Sequence, residues 1–323
     1  MVHLTAAQVA HFHERGYVVV EGLLNPEEDL DPIIEEYKGV LDRLAYELYD
    51  RGEISSTYAD LPFGKRLIQI YAESGKVHAQ YFDFSLPQKG VKDETPMWVG
   101  PAVFNALCNE RLLDAVESLI GPEISSNPVQ HVRLKPPERL TPKDPQTGRV
   151  QLGATLWHQD NGVVLPEADE TEMLTVWFPL LDATIENGCL EVIPYSHSRG
   201  LIHHCVGRAG LTIPDKFLSQ EDAIPLPMKR GDVLFMTRLT CHCSLSNHSD
   251  DIRWSFDLRY NPVGQPTGRG VFPGFVARSR VHPEIELHDA KVWAEMWYET
   301  RRTLARQSDP VYNRWRADDP VCA

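Results

Sequence analysis

The chain has 323 residues, 42% of them hydrophobic, enough to bury a sizeable core. Its 46 acidic residues against 32 basic ones give a formal charge of −14, which speaks against nucleic acid or an anionic membrane surface as partner, since both need clustered Lys and Arg. No apolar stretch reaches membrane-span length, and Met1-Val2-His3-Leu4-Thr5 lacks the charged start and apolar run of a secretory signal. The cysteines, Cys108, Cys189, Cys205, Cys241, Cys243 and Cys322, form no C-x-x-C pair and read as reduced thiols of a cytoplasmic protein.

Residues 4–16 read as a helix capped by Thr5, with Val9, Phe12 and His13 on one face and a stop at Gly16. Tyr17-Val18-Val19-Val20 reads as a strand. A second helix is expected from about Glu27 to Leu48, where apolar residues recur at helical period. After the polar segment 50–66, a helix pair is expected near 67–80 and 102–120. Between them, Phe82 to Gly100 is irregular and rich in aromatics, a candidate lid or substrate wall. From about 124 the pattern changes to short strands separated by turns: 129–135, 173–180, 188–194, 201–204, 231–236, 239–245 and 253–260. Strands so spaced form a sandwich or barrel. Residues 136–150 make a Pro- and charge-rich loop. A last amphipathic helix, about Asp289 to Arg306, carries Trp293 and Trp297 on one side. No motif specifies an oligomeric state.

The chemistry centres on Trp157-His158-Gln159-Asp160. The preceding run, Leu152 to Leu156, is expected to be a strand, so His158 and Asp160 share one face and Gln159 takes the other. One more His on that face completes a 2-His-1-carboxylate facial triad, the arrangement of non-haem Fe(II) oxygenases, with three positions left open for a cosubstrate and O2. The candidates are His203, His204, His242 and His248. His242 is favoured because it follows the apolar run Val233 to Leu239, whereas His248 sits in turn chemistry, Asn247-His248-Ser249-Asp250. Zinc at Cys241-His242-Cys243 is discounted, because neighbours on a strand face apart.

If 239–245 and 253–260 pair as a hairpin, Arg253 faces His242 directly, and its guanidinium can grip the far carboxylate of an iron-bound five-carbon diacid. Ser255 would add a hydroxyl beside Arg253, and Ser244 shares the face of His242. The competing use of Arg253 is an ion pair with Asp250 or Asp251.

With these residues in place, the chain resembles the phytanoyl-CoA dioxygenase family of Fe(II)/2-oxoglutarate oxygenases. The matching pieces are Phe12 to Leu24, Lys135-Pro136-Pro137, Trp157 to Asp160, Glu186 to Pro194 with Ser196-His197, Gly231-Asp232-Val233, and His242 followed by Arg253. The resemblance implies a mainly β protein with flanking helices around a double-stranded β-helix, or jelly roll. It implies a single domain: a helical region with one strand at 1–123, the jelly-roll core at 124–265, and an extension with a helix at 266–323. Iron would sit on His158, Asp160 and His242. Arg253 and Ser244 would hold 2-oxoglutarate, Trp177 and His131 would line the pocket, and His197 would be structural. Tyr195 departs from the family pattern, where Gly often precedes Ser-His.

The reaction implied is O2-dependent oxidation of an unactivated C–H bond, hydroxylation by default, with succinate and CO2 released. The substrate is expected to be a small molecule, largely apolar if the aromatics of 81–98 and the tryptophans of the last helix line its site. The alternatives are a jelly roll that binds metal without oxygenase activity, an iron enzyme that does not use 2-oxoglutarate, and a zinc hydrolase.

Overall fold

The computed structural model describes residues 3–207 and 210–322. Helix α1 (Ala6–Arg15) starts at a capping box between Thr5 and Gln8 and ends at Gly16 in the left-handed region. Strand β1 (Tyr17–Val20) follows. A π-helical turn, Pro26–Leu30, runs into α2 (Asp31–Asp50). The expected helix pair is three helices: α3 (Phe63–Ser74), α4 (Pro101–Leu107) and α5 (Glu110–Ile120), because Asn109 caps a fresh helix where one continuous helix was expected. The strands then follow: β2 (Glu123–Lys135), β3 (Leu174–Pro179), β4 (Leu190–Val192), β5 (Cys205–Gly207), β6 (Gly210–Thr212), β7 (Ile224–Leu226), β8 (Val233–Thr237), β9 (His242–Ser244), β10 (Arg253–Pro262) and β11 (Phe275–Ser279). Helix α6 (Ala290–Leu304) closes the order of longer elements.

Six strands form a major antiparallel sheet, ordered β1-β8-β3-β10-β2-β11, and three form a minor one, β7-β4-β9. Strand alternation gives the major sheet two different faces. Val132, Leu134, Val176, Phe178, Phe235, Trp254, Phe256 and Leu258 point to one side, where they join Tyr37, Leu41, Leu67 and Phe104 from the helices in the main apolar core. Trp177, Leu234 and Met236 point to the other, and pack with Leu190 and Val192 of the minor sheet. Two sheets packed in this way form a jelly roll, with the helices layered on the outer face of the larger sheet. Burying each large apolar side chain stabilises this layer by about 2–3 kcal/mol.

Several expectations are corrected. Leu152 to Leu156 is not a regular strand. Residues 201–204 do not form one either; the strand starts at Cys205. The expected hairpin does not exist, because β9 lies in the minor sheet and β10 in the major one, where Arg253 pairs with Lys135. The aromatics of the irregular segment face the main core, where Phe82 and Phe84 are fully buried, while Gln88 of the same segment lines the cavity described below. Trp293 and Trp297 are in that core too, against Phe104 and Phe272. At Tyr195, the departure from the family pattern, φ is +64°, the backbone geometry that favours Gly.

The cysteines are not all reduced. Cys205 and Cys322 form a disulfide, leaving Cys108, Cys189, Cys241 and Cys243 free. The C-terminal segment brings Cys322 back: Arg314 makes a two-point ion pair with Asp169, Trp315 donates its indole N–H to Gly162 O, and its ring stacks on His204. Closing a loop of 117 residues, the bridge is expected to contribute about 2–4 kcal/mol. Replacing Cys322 with Ser, or adding dithiothreitol, is expected to lower Tm, with no further loss when reductant is added to the variant. Calorimetry with and without reductant checks this.

Candidate active site

His158 and His242 are joined through their backbones. Each N–H donates to the other's carbonyl at 3.0 Å, so β9 has β4 on one side and the His158 segment on the other. Ser244 N–H continues the pairing to Thr155 O. This places the two imidazoles side by side, with ring centroids 4.2 Å apart. A 3-10 turn starting at Asp160 then swings its carboxylate toward them. Asp160 Oδ1 lies 3.8 Å from His158 Nε2 and 4.0 Å from His242 Nε2, and the three candidate ligand atoms lie within 4.8 Å of one another.

The rings are set for a metal. His158 Nδ1 is 2.8 Å from Leu156 O, and His242 Nδ1 is 3.0 Å from Thr240 O. Donation there fixes the proton on Nδ1 and leaves Nε2 a free lone pair facing Asp160. Burial, then the neighbouring His242 ring, pushes His158 down to about 3, which keeps it neutral and able to ligate. Burial alone would raise Asp160, but Arg259 and the two imidazoles hold it well below the usual carboxylate range. Arg259 Nη2 donates to Asp160 Oδ1 at 2.5 Å, and Thr175 Oγ1 donates to Oδ2. The donor set, two imidazole nitrogens and a carboxylate, fits a ferrous ion.

A cavity of about 170 Å³ opens beside this cluster. His158, His242, Trp177, His131 and Arg253 all line it, so the structure brings these candidates to one space. Arg253 is 2% exposed; its Nη1 donates to Ser255 Oγ at 2.9 Å, its guanidinium lies over the Trp177 ring at 5.5 Å, and its Nε has no partner. Among the described residues no carboxylate pairs with it, so the expected alternative, Asp250 or Asp251, is excluded. Asp250 instead pairs with Arg139 and Asp251 faces Lys65. Burial, then nearby Arg133, lowers Arg253 to about 10. A buried guanidinium without a counter-ion fits a ligand carboxylate. Ser244 Oγ accepts from Lys135 Nζ at 2.7 Å and from Thr155 N–H at 2.8 Å. His131 Nδ1 lies 2.8 Å from Asp83 Oδ2.

The rejected histidines have other uses. His248 is exposed on its turn. His203 lies 3.5 Å from Asp319, by the C-terminal segment. His204 is fully buried and accepts the Gln159 backbone N–H on Nε2, while the Gln159 side chain bonds Gly200 O, Leu239 O and Ile202 N–H. The residue between the two ligands is thereby locked. A Cβ at Gly162 would sit 2.3 Å from the His204 ring, so glycine lets the turn approach. His197 Nε2 lies 3.1 Å from His13 O, tying α1 to the turn after β4.

Sequence reasoning missed Arg133, Lys135, Thr175, Arg259 and Arg269. Strand alternation was the available signal: Arg253, Ser255, Asp257 and Arg259 step along one face of β10, and His131, Arg133 and Lys135 along β2 beside it.

A family model described as phytanoyl-CoA dioxygenase (PhyH) matches residues 12–255. The chain belongs to the phytanoyl-CoA dioxygenase family. It is thus a non-haem iron, 2-oxoglutarate-dependent oxygenase, with O2 as oxidant. Phytanoyl-CoA dioxygenase domain-containing protein 1 of Danio rerio is 28% identical over 265 residues, 77% of this chain and 87% of that one. The Mus musculus protein of the same name is 25% identical over 281 residues, covering 80% and 90%. Among solved structures, the non-heme monooxygenase ThoJ shares the fold with a TM-score of 0.59 at 17% identity, over 92% of this chain and 96% of that one. Among the described residues of this family member no helix is long and apolar enough to cross a membrane.

Burial holds the His204 ring at about 4, below the 6.5 of an exposed imidazole. The unfolded chain therefore takes up this proton first as pH falls. The contribution is complete above pH 6.5 and is lost between 6.5 and about 4, amounting to at most about 3 kcal/mol. His204→Gln is expected to lose less stability than wild type over that window. Urea unfolding on both sides of it measures the difference.

Proposed function

We propose that His158, Asp160 and His242 hold the ferrous ion, that Arg253 receives the far carboxylate of 2-oxoglutarate, and that the protein oxidises a C–H bond of a small organic molecule in the adjoining cavity. One observation carries this: three ligand atoms from two distant segments lie within 4.8 Å of one another, beside a cavity lined by a guanidinium that has no counter-ion. Iron with 2-oxoglutarate and O2 supplies the oxidant for an unactivated C–H bond, and succinate and CO2 are released.

The chain's own residues bind, orient and shield. Arg259 and Thr175 fix the Asp160 carboxylate, and the Leu156 and Thr240 carbonyls fix the imidazoles. Ser255 and Trp177 hold Arg253 in place. Ser244 keeps its hydroxyl hydrogen free to donate, because both its contacts are made as acceptor. His131, steadied by Asp83, forms part of the wall. With Asp160 present as a third ligand, hydroxylation is the default outcome, with desaturation or ring formation as variants of it. A largely apolar substrate loses its support, because the aromatics that suggested it are in the core.

The test is iron- and 2-oxoglutarate-dependent succinate release across a metabolite library. His158→Ala, Asp160→Ala and His242→Ala are each expected to abolish release and weaken iron binding while circular dichroism stays native. Arg253→Ala is expected to raise the KM for 2-oxoglutarate about tenfold or more, and His248→Ala to change nothing. Loss of release in His248→Ala with release retained in His242→Ala would overturn the ligand assignment. A wild type that binds iron yet releases no succinate would favour a binding protein.

A further inference from the structure

Four arginines, Arg133, Arg253, Arg259 and Arg269, line the cavity, and Asp257 is the only carboxylate among its lining residues. Asp160, at the ligand cluster, adds a second negative charge. On the proposed function, iron(II) and the 2-oxoglutarate dianion add equal and opposite charges, so two positive charges stay unmatched. Burying cations without partners is costly, and a fold keeps them where a ligand neutralises them.

The four guanidiniums are not equally engaged. Arg259 is committed to Asp160, with further bonds to Val129 O and Asp257. Arg269 is 3% exposed, donates to Val163 O at 2.6 Å and lies over Tyr312 at 5.3 Å. Arg253 rests on Ser255 and Trp177. Arg133 is half-buried, sits opposite Ser255 on β2, and among the described residues has no hydrogen-bond or ion-pair partner. Asp83, an acid from the segment packed against that strand, is already bonded to His131 and to the Val132 N–H.

We infer that the substrate is an organic anion and that Arg133 is the residue that binds its charged group. The shared chemistry is a compact oxyanion, a carboxylate or a phosphate ester, which a guanidinium grips through two parallel N–H donors. Arg133 is then a specificity-determining residue, and Arg253 serves the cosubstrate alone. The surface of the protein is acidic overall, so the recognition is confined to the cavity and works at short range.

This inference rests on the proposed function, and the experiment separates the two. The anaerobic holoenzyme with Fe(II) and 2-oxoglutarate is titrated with benzoate, cyclohexanecarboxylate and octanoate, each against its primary amide, and with phenyl phosphate against phenol. Tryptophan fluorescence reads binding. In wild type, at least one anion is expected to bind about tenfold or more tighter than its neutral partner. Arg133→Leu is expected to lose that preference, and Arg133→Lys to keep part of it. The affinity of Arg133→Leu for 2-oxoglutarate is expected to stay within about threefold of wild type, which also reports that the variant is folded.

Phenyl phosphate outbinding every carboxylate would assign the site to phosphate esters, and the reverse to carboxylic acids. If no anion outbinds its neutral partner, or if Arg133→Leu weakens 2-oxoglutarate as much as Arg253→Leu, the inference is overturned. If wild type fails to bind 2-oxoglutarate at all, the proposed function falls instead.

Discussion

Two backbone hydrogen bonds between His158 and His242 set the geometry on which everything else in the site depends. These residues are far apart in sequence, and side-chain packing alone would leave their rings free to drift. The reciprocal N–H to carbonyl pair fixes their separation, their shared face and their register. It also makes the ligand segment an edge of the minor sheet without its being a full strand. Asp160 can then leave the sheet in a tight turn, which a continuing strand would not allow. The third candidate ligand therefore arrives from the same short peptide at a different angle, as a facial arrangement would require.

The second constraint is the difference between the two faces of the major sheet. Its outer face is apolar and carries the helices, so it supplies most of the burial. That stability supports an inner face with several buried cations. Lys135 shows the strain of this. Burial, then Arg253 and Arg133, pushes its ammonium down to about 6, and its Nζ is held by Ser244 Oγ and Leu245 O. Arg253 and Arg269 are lowered as well, both chiefly by burial. A face built for packing alone would carry none of these groups. Their presence is paid for by the apolar side and is intelligible as preorganised electrostatics, in place before a ligand arrives.

Much of this was legible in the chain. His-x-Asp after an apolar run, a histidine past a core strand and an arginine eleven residues later pointed to residues that come together around one cavity. Strand assignment was accurate where β-branched and aromatic residues alternate, as in β1, β3 and β8. The route to Arg253 was wrong although the residue does line the cavity: a hairpin was expected, whereas β9 and β10 belong to different sheets. Chain proximity cannot distinguish these cases, because both put the two side chains near each other. The basic cavity was hidden for a related reason. Arg253 and Arg259 share β10, but Arg133 comes from β2 and Arg269 from beyond β10, so no short sequence window holds all four, and the overall charge of −14 has the opposite sign. The disulfide was missed because 117 residues separate its ends.

The C-terminal segment shows how far the site's supports extend beyond the family pattern, which ends at residue 255. Arg269 lines the cavity while Tyr312 lies under its guanidinium, and Phe272 joins both. Arg314 donates to Asn161 O and Asp169, and Trp315 to Gly162 O, so the turn that begins at Asp160 is held from outside by this segment. The disulfide to Cys205 anchors its far end near His204, which grips Gln159 from the other side. The residues flanking Asp160 are thus held between two supports, neither of which touches a candidate metal ligand through its side chain. Positional accuracy at the candidate iron ligands then depends on groups whose sequence carries no sign of chemistry, which is the expected behaviour of a site that must hold three donors to within about half an ångström.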